Sequence, residues 1–506
     1  MYVEGPCRNS TTTRRDRHET WPTFLFPSYS RSFKVPSRFR PSSSRHTAMA
    51  SSGSSGCPTQ PHVAFVAFPF GTHAAPLFAL ARAVASAAPG TAVSFLSTAR
   101  SLASLPRAEG LGNIRLVPVA DGRPEGAAEV PPPGGIEELI GMFLAATPGN
   151  LREALGAAAA GAGGIPVGCV VSDAFMWMAG DVAEAAGAPW VVLWTGGPAG
   201  LAAHLHTDLL RDAIGVGERA MTRFKEQLHS IPVLSAHRVC DLPEGIVFGP
   251  LDAPVSCLVH RMAQSLPKAA AVLHNTFEGL DPAIDAHFSA TFSRSLPVGP
   301  LHLLAPLAHP TPDPNHCLPW LDRHAPATVA YVSFGSFMAP PPAEMTELAE
   351  GLEASGAAFL WSLRDEVMGL LPPGFSERTK GRGLVVSWAP QLDILRHAAV
   401  GAIVMHCGWN SVVEAITAGV PMVCRPFFGD QRLNARFIFQ VWEIGVEFEG
   451  GVMTKEGVVR ALEAVLKGEE GKRMRVKAGE LKAMATRAVQ PGGSSSVNFN
   501  RFLDLV

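Results

Sequence analysis

No two of the eight cysteines, Cys7, Cys57, Cys169, Cys240, Cys257, Cys317, Cys407 and Cys424, stand in a CxxC pair. Their spacings exclude an ordinary zinc site and a disulfide framework, and a reducing compartment is the simplest setting. An excess of one charge is missing too: 42 Lys and Arg face 44 Asp and Glu, a formal net charge of −2. Such a chain carries no electrostatic footprint for nucleic acid or for an anionic membrane. A long apolar run is also lacking. The longest uncharged stretch, near Ala154–Val171, is mostly Ala and Gly and contains Pro166. It reads as a helix end, a loop and the start of a strand, whereas a membrane span needs about 20 strongly apolar residues. Finally, no GxGxxG follows the first strand-like run, which disfavours a nicotinamide-dependent dehydrogenase.

What is present is globular. Of 506 residues, 47% are hydrophobic, enough for large cores in two or more domains. Residues 1–60 stand apart: they are rich in Ser, Arg, Thr and Pro, show no apolar periodicity, and are expected to be disordered. Their scarcity of acids resembles a plastid transit peptide over residues 1–48, but Met49 before Ala-Ser-Ser-Gly is the expected start of the working protein. From His62 onward, short apolar runs alternate with helical segments. His62–Pro69, Thr91–Ser97, Ile114–Ala120, Val167–Asp173 and Pro189–Thr195 read as strands, and Ala74–Ala87 as a helix with Pro76 in its first turn. Pro306, Pro310, Pro312 and Pro314 then mark a linker at 305–315. The alternation restarts with Val329–Phe334, Ala358–Leu363, Leu384–Ser387, Val400–His406 and Pro421–Arg425, and helices Thr454–Leu466 and Lys472–Ala488 follow. This pattern predicts an α/β chain with two Rossmann-like domains, 61–304 and 316–488, whose parallel sheets face one another across a cleft. Residues 489–506 are expected to form a helix returning to the first domain. Ligands in such sheets bind beyond the carboxyl ends of the strands.

One segment, Trp388–Gln431, reads WAPQLDILRHAAVGAIVMHCGWNSVVEAITAGVPMVCRPFFGDQ. At its centre a strand meets Cys407-Gly408 and a helix that begins near Trp409. Gly408 permits close backbone approach. Asn410 and Ser411 add polar groups beside the free N–H groups of a helix N-terminus, which suits an anion such as phosphate. Glu414 lies one turn along the same face, where a carboxylate can accept from a vicinal diol such as ribose. Trp388, just past a strand end, offers a flat face to a base, and Gly419 stops the helix. Taken singly, Trp388 and Trp409 read as core aromatics and His406 as a hydrogen-bonded core histidine. His406-Cys407 has no third and fourth ligand at metal-binding spacing.

Together these residues closely resemble, without a gap, the signature box of plant secondary-product glycosyltransferases, UDP-sugar-dependent enzymes of the GT-B fold. The resemblance extends over nearly everything from His62 to Val506. It implies that Trp388 stacks on uracil while the Ala389 backbone pairs with its edge, and that Gln391 and Glu414 hold the ribose. His406, Asn410, Ser411 and Ser336 would hold the diphosphate. Trp409, Asp430 and Gln431 would contact the sugar, and Thr195 would reach across to the sugar or phosphate. UDP-glucose is implied as co-substrate, with no cofactor and no metal.

In such a transfer the acceptor loses a proton, and a phenol-like hydroxyl with a pKa of about 10 needs a general base. His73, at the start of helix Ala74–Ala87, is placed for this; the positive helix end favours a neutral ring. Asp173 ends a strand and can fix the tautomer through the other ring nitrogen. Alone, the two read as a helix-cap histidine and a turn aspartate; PFGTHAAPL and VSDAFMW resemble the family's segments for its base and supporting acid. Direct displacement with inversion is implied. The nearest resemblance is to anthocyanidin and flavonol 3-O-glucosyltransferases, carried by FPFGTHAAPL, LSTARSLASL, LWTGGPAGLAAHLHTD, HRMAQSLPKAAAVLHNTFEGLD, AYVSFGS and RPFFGDQRLNARF. It implies that Phe175, His204, Phe428 and the Gly429 backbone line a flavonoid, beside His73. Two departures bear on acceptor choice: Gly71 stands where relatives often have serine, and Glu129–Leu144 lacks a glutamine that some relatives place there. Transfer to another small plant acceptor, or a non-catalytic binder of UDP-sugar or flavonoid, are the competing readings; a cytoplasmic monomer is expected.

Overall fold

A computed structural model describes residues 60–106, 110–123, 135–305, 311–335 and 339–506. The expectations for residues 1–59, for Ser336 and for linker residues 306–310, which include Pro306 and Pro310, fall outside these.

Among the described residues thirteen strands form two sheets in which every pairing is parallel. The first sheet contains β1 (His62–Val66), β2 (Ala92–Ser97), β3 (Ile114–Pro118), β4 (Cys169–Asp173), β5 (Trp190–Trp194), β6 (Ala271–His274) and β7 (Ser295–Pro297). The second contains β8 (Val329–Ser333), β9 (Ala358–Ser362), β10 (Gly383–Val386), β11 (Val400–Met405), β12 (Met422–Cys424) and β13 (Gly445–Glu447). The strands are short because both faces of each sheet are covered, so apolar runs replace strict alternation. Successive residues still point to opposite faces: Val63 and Phe65 of β1 join one apolar cluster and Ala64 and Val66 the other.

The spatial orders locate the chemistry. They run β3-β2-β1-β4-β5-β6-β7 and β10-β9-β8-β11-β12-β13. Each sheet is wound outward in one direction and then in the other, and reverses between β1 and β4 in the first and between β8 and β11 in the second. Diverging loops open a crevice at such a point. Helix Ala74–Ala87 leaves β1, and helix Trp409–Ala418 leaves β11.

Several elements differ from the reading of the sequence. β6, β7 and β13 went unrecognised there; at three or four residues each they show no pattern and are specified by their neighbours' register. A helix spans Gly135–Gly161 despite Pro148, where only its end was legible. Thr454 is a cap rather than a helical residue, its hydroxyl accepting from Gly457 N at 3.1 Å, and Lys455–Leu462 passes into a π turn at Glu463–Lys467. Helix Ser494–Leu503 packs on the first sheet: Phe499 and Phe502 enter the cluster of Val63 and Phe65, and Ser495 Oγ donates to Gly299 O. Among the described residues no helix is long and apolar enough to cross a membrane, and the six described cysteines are free.

Candidate functional site

At the first crevice, His73 Nδ1 lies 2.9 Å from Asp173 Oδ2. These residues are 100 positions apart and meet because β1 and β4 are adjacent. Asp173 is fully buried, and its second oxygen accepts from Phe175 N at 2.9 Å. The imidazole is 23% exposed, enough for Nε2 to meet a substrate. Phe175 lies against its face with ring centroids 4.5 Å apart, and Phe68 meets it edge-on. Burial depresses the His73 pKa, but the charge and hydrogen bond of Asp173, with the charge of Asp430, outweigh it and leave the value above its usual 6.5. The expected effect of the helix end, a ring kept neutral, is therefore overridden by two carboxylates.

Thr195 directly follows β5, beside this pair. Its hydroxyl lies 3.1 Å from His73 Nδ1 and donates to Asp173 Oδ2 at 3.4 Å. Thr195, expected to reach sugar or phosphate, has its hydroxyl on the base and its acid in this structure.

At the second crevice, Cys407 turns the chain with φ of 64°, and Gly408 precedes helix Trp409–Ala418 without side-chain capping of its N–H groups. Uncapped N–H groups at a helix N-terminus suit an anion. His406 sits between two glycines: a Cβ at Gly335 or Gly408 would come within 3.0 or 2.5 Å of its ring. Burial lowers its pKa to about 4, so the ring is neutral. Gln391 Nε2 donates to Ser411 Oγ at 3.0 Å and to Glu414 Oε2 at 2.6 Å, and Tyr331 OH donates to Gln391 Oε1 at 3.3 Å. Trp388 is 45% exposed at the end of β10, beside buried Ala389, and its carbonyl accepts from Asn315 Nδ2.

The two crevices meet. Asn410 Nδ2 donates to Thr72 Oγ1 at 3.4 Å, next to His73. Asp430 Oδ2 accepts from Gly197 N at 2.7 Å, two residues beyond Thr195. The Trp409 indole N–H donates to Asn275 O of the first sheet's loop at 2.9 Å and is therefore already engaged. Gln431 is nearly buried, and its side-chain oxygen accepts from Phe427 N at 2.9 Å and Phe428 N at 3.2 Å, leaving only the amide NH₂ for a ligand. The Gly429 N–H is likewise engaged, by Glu244 Oε2 at 2.9 Å. Phe428 is 38% exposed. His204 is buried edge-on to Trp194, and burial takes its pKa down to about 4, so it offers a neutral ring.

Sequence reasoning missed Gly197, Glu244, Asn275 and Asn434. Gly197, Glu244 and Asn275 bond across the interface, whereas Asn434 bonds Cys407 and Asp430 within the second half; the only local trace was the glycine pair after Thr195. No group of three or more His, Cys, Asp or Glu side chains among the described residues could hold a metal ion.

Burial raises the Glu414 carboxyl to about 7, opposed by the Gln391 hydrogen bond and the charge of Arg396. Hydroxyl donors from a diol favour the ionised form, so binding should lower that pKa and release a proton. UDP-glucose affinity is therefore expected to be full above pH 7 and to fall by about threefold to tenfold by pH 6. Calorimetry in buffers of different ionisation enthalpy would detect the proton. The same pH dependence in Glu414→Gln would rule this carboxyl out.

Comparison with known proteins shows the family and the fold. Residues 142–481 match the family described as UDP-glucoronosyl and UDP-glucosyl transferase. An anthocyanidin 3-O-glucosyltransferase from Zea mays is 51% identical over 465 residues, covering 88% of this chain and 97% of the relative. A myricetin 3-O-rhamnosyltransferase from Crocosmia x crocosmiiflora is 52% identical over 448 residues, with the same coverage. The crystal structure of a UDP-glucose: anthocyanidin 3-O-glucosyltransferase in complex with UDP superposes with a TM-score of 0.81 at 38% identity, covering 88% of this chain and 98% of that one.

Proposed function

The chain belongs to the UDP-glucoronosyl and UDP-glucosyl transferase family, and on that premise we propose that it transfers glucose from UDP-glucose to the 3-hydroxyl of an anthocyanidin or flavonol. The fold is GT-B. One observation carries the chemistry: the His73–Asp173 pair at one crevice adjoins the uncapped helix N-terminus at the other, through Thr72–Asn410 and Gly197–Asp430.

In this reading His73 Nε2 takes the proton of the acceptor hydroxyl, and Asp173, holding Nδ1–H, stabilises the imidazolium that forms. The acceptor oxygen bonds to the anomeric carbon as the bond from that carbon to the phosphate oxygen breaks, and UDP leaves from the opposite face with inversion. Thr195 steadies the base through Nδ1. The helix at Trp409, neutral His406 and Asn410 meet the growing diphosphate charge, which makes a metal unnecessary. Ser336, after β8, belongs to the same group by family resemblance. Trp388 and Ala389 take uracil, Gln391 and Glu414 the ribose, and Asp430, Gln431 and the Trp409 backbone the sugar. Phe175, His204, Phe428 and Gly429 line the acceptor. A cytoplasmic monomer belongs to the same reading.

The test is UDP release in EDTA, with and without a flavonol, from UDP-glucose and UDP-rhamnose, with the product glycoside identified. The Crocosmia relative is the reason for the rhamnose arm. Release of UDP without a glycoside, or a product glycosylated elsewhere than the 3-hydroxyl, would overturn the assignment.

A further inference from the structure

Asn434 is fully buried on helix Gln431–Arg436, four residues after Asp430. Its Nδ2 donates to Asp430 Oδ2 at 3.1 Å and to Cys407 O at 3.1 Å. Cys407 is the left-handed residue that turns β11 into the anion-binding helix. Two acceptors fix the amide's orientation: turned over, its oxygen would face a carbonyl and a carboxylate. The oxygen, Oδ1, is then buried without a partner. It presses on Gly197, where a Cβ would lie 1.9 Å from it. An apolar side chain here would remove the unpaired Oδ1 but would also take the donor from Cys407 O and from Asp430 Oδ2, so the amide is explained by these two bonds and not by helix packing.

The amide instead completes a three-way junction. Asp430 Oδ2 accepts from Gly197 N of the first sheet's loop and from Asn434 Nδ2, so both bonds fall on one oxygen. Carboxylate rotation is stopped, and Oδ1 is left as the acceptor that meets the sugar. Gly196 and Gly200 are required by the same junction, since a Cβ at either would lie 3.1 or 2.8 Å from the Asp430 side chain.

We propose that Asn434 is a positioning residue for glucosyl transfer: it holds Asp430 in one orientation against Gly197 and ties it to the Cys407 turn, so that the sugar is presented to the base in one pose. This rests on the reading that Asp430 contacts the donor sugar. Asn434 touches no substrate and acts through Asp430.

The test is a double-mutant cycle of Asn434→Leu and Asp430→Asn, with Asn434→Ser as a second variant in case leucine prevents folding. Kinetics with UDP-glucose and a flavonol would accompany UDP affinity. Asn434→Leu is expected to lower kcat at least about tenfold, with the acceptor KM and the UDP Kd within about threefold of the parent. In the Asp430→Asn background the same change should have little further effect, because its target is already altered. A fully additive loss would overturn the proposal, as would a loss of UDP affinity matching the loss of kcat, or retention of more than half the parent kcat in both Asn434 variants. If Asp430→Asn alone leaves kcat unchanged, the assignment of Asp430 to the sugar fails first, and the positioning role fails with it.

Discussion

Replacing His73 by Ala is expected to lower turnover by about 10²–10⁴, the usual loss for a general base, while UDP still binds. The motivation is the 2.9 Å contact of His73 Nδ1 with buried Asp173, which leaves Nε2 on the accessible side of the ring. A variant with more than half the parent turnover would sink the assignment. Asp173→Ala should act in the same direction, and the double variant should lose little beyond the worse single one, because the two work as a unit.

The pH profile tests the electrostatics separately. A base must be neutral to accept a proton, so kcat/KM rises with pH through the pKa of the free enzyme. Asp173 and Asp430 favour the protonated ring and hold that pKa above 6.5. The acid limb should therefore fall above pH 6.5 and move down in Asp173→Asn, which removes the charge. An acid limb below 6.5 in the parent protein would show that burial, and not the carboxylates, dominates at this ring.

UDP-glucose should be preferred over UDP-galactose by at least about tenfold in kcat/KM. The epimers differ in the direction of one hydroxyl at C4, and a buried polar group left unpaired by the wrong one costs roughly 1–3 kcal/mol. On the proposed reading that Gln431 meets the sugar, its side chain can only donate, because its oxygen already accepts from the N–H groups of Phe427 and Phe428. Asp430, with Oδ2 saturated by Gly197 and Asn434, can only accept. A donor and an acceptor fixed side by side select hydroxyls by direction. Gln431→His should damage glucose use without creating good galactose use, because the imidazole does not reproduce the amide oxygen that holds the 427–428 turn. A competition assay with both donors and one flavonol, reading the product sugar, decides this. Equal use, or preference for galactose, would show that the pairing does not discriminate.

Some of this was legible in the order of residues alone. The alternation of short apolar runs with helical segments specified an α/β chain with parallel sheets, because strands covered on both faces must be apolar throughout. The helix proposed to hold the diphosphate was legible because its parts are contiguous: a strand, a glycine, two small polar residues, and a glutamate one turn later all lie within residues 400–414. Gly419 as the helix stop, at φ of 76°, is equally local. His73 and Asp173 were each identifiable as polar residues at strand ends, but their pairing follows from β1 and β4 lying side by side.

Tertiary structure decided which polar atoms remain for a ligand. Trp409 lies inside the most recognisable stretch of the chain, yet its indole N–H is taken by a carbonyl 134 residues away. Thr195 turns toward a base 122 residues away, and Asp430 toward a glycine N–H 233 residues away. The reason is hydrogen-bond satisfaction in a closed interface. A buried donor or acceptor must find a partner wherever the other half of the molecule supplies one, and that partner leaves no pattern in the sequence around the residue it captures.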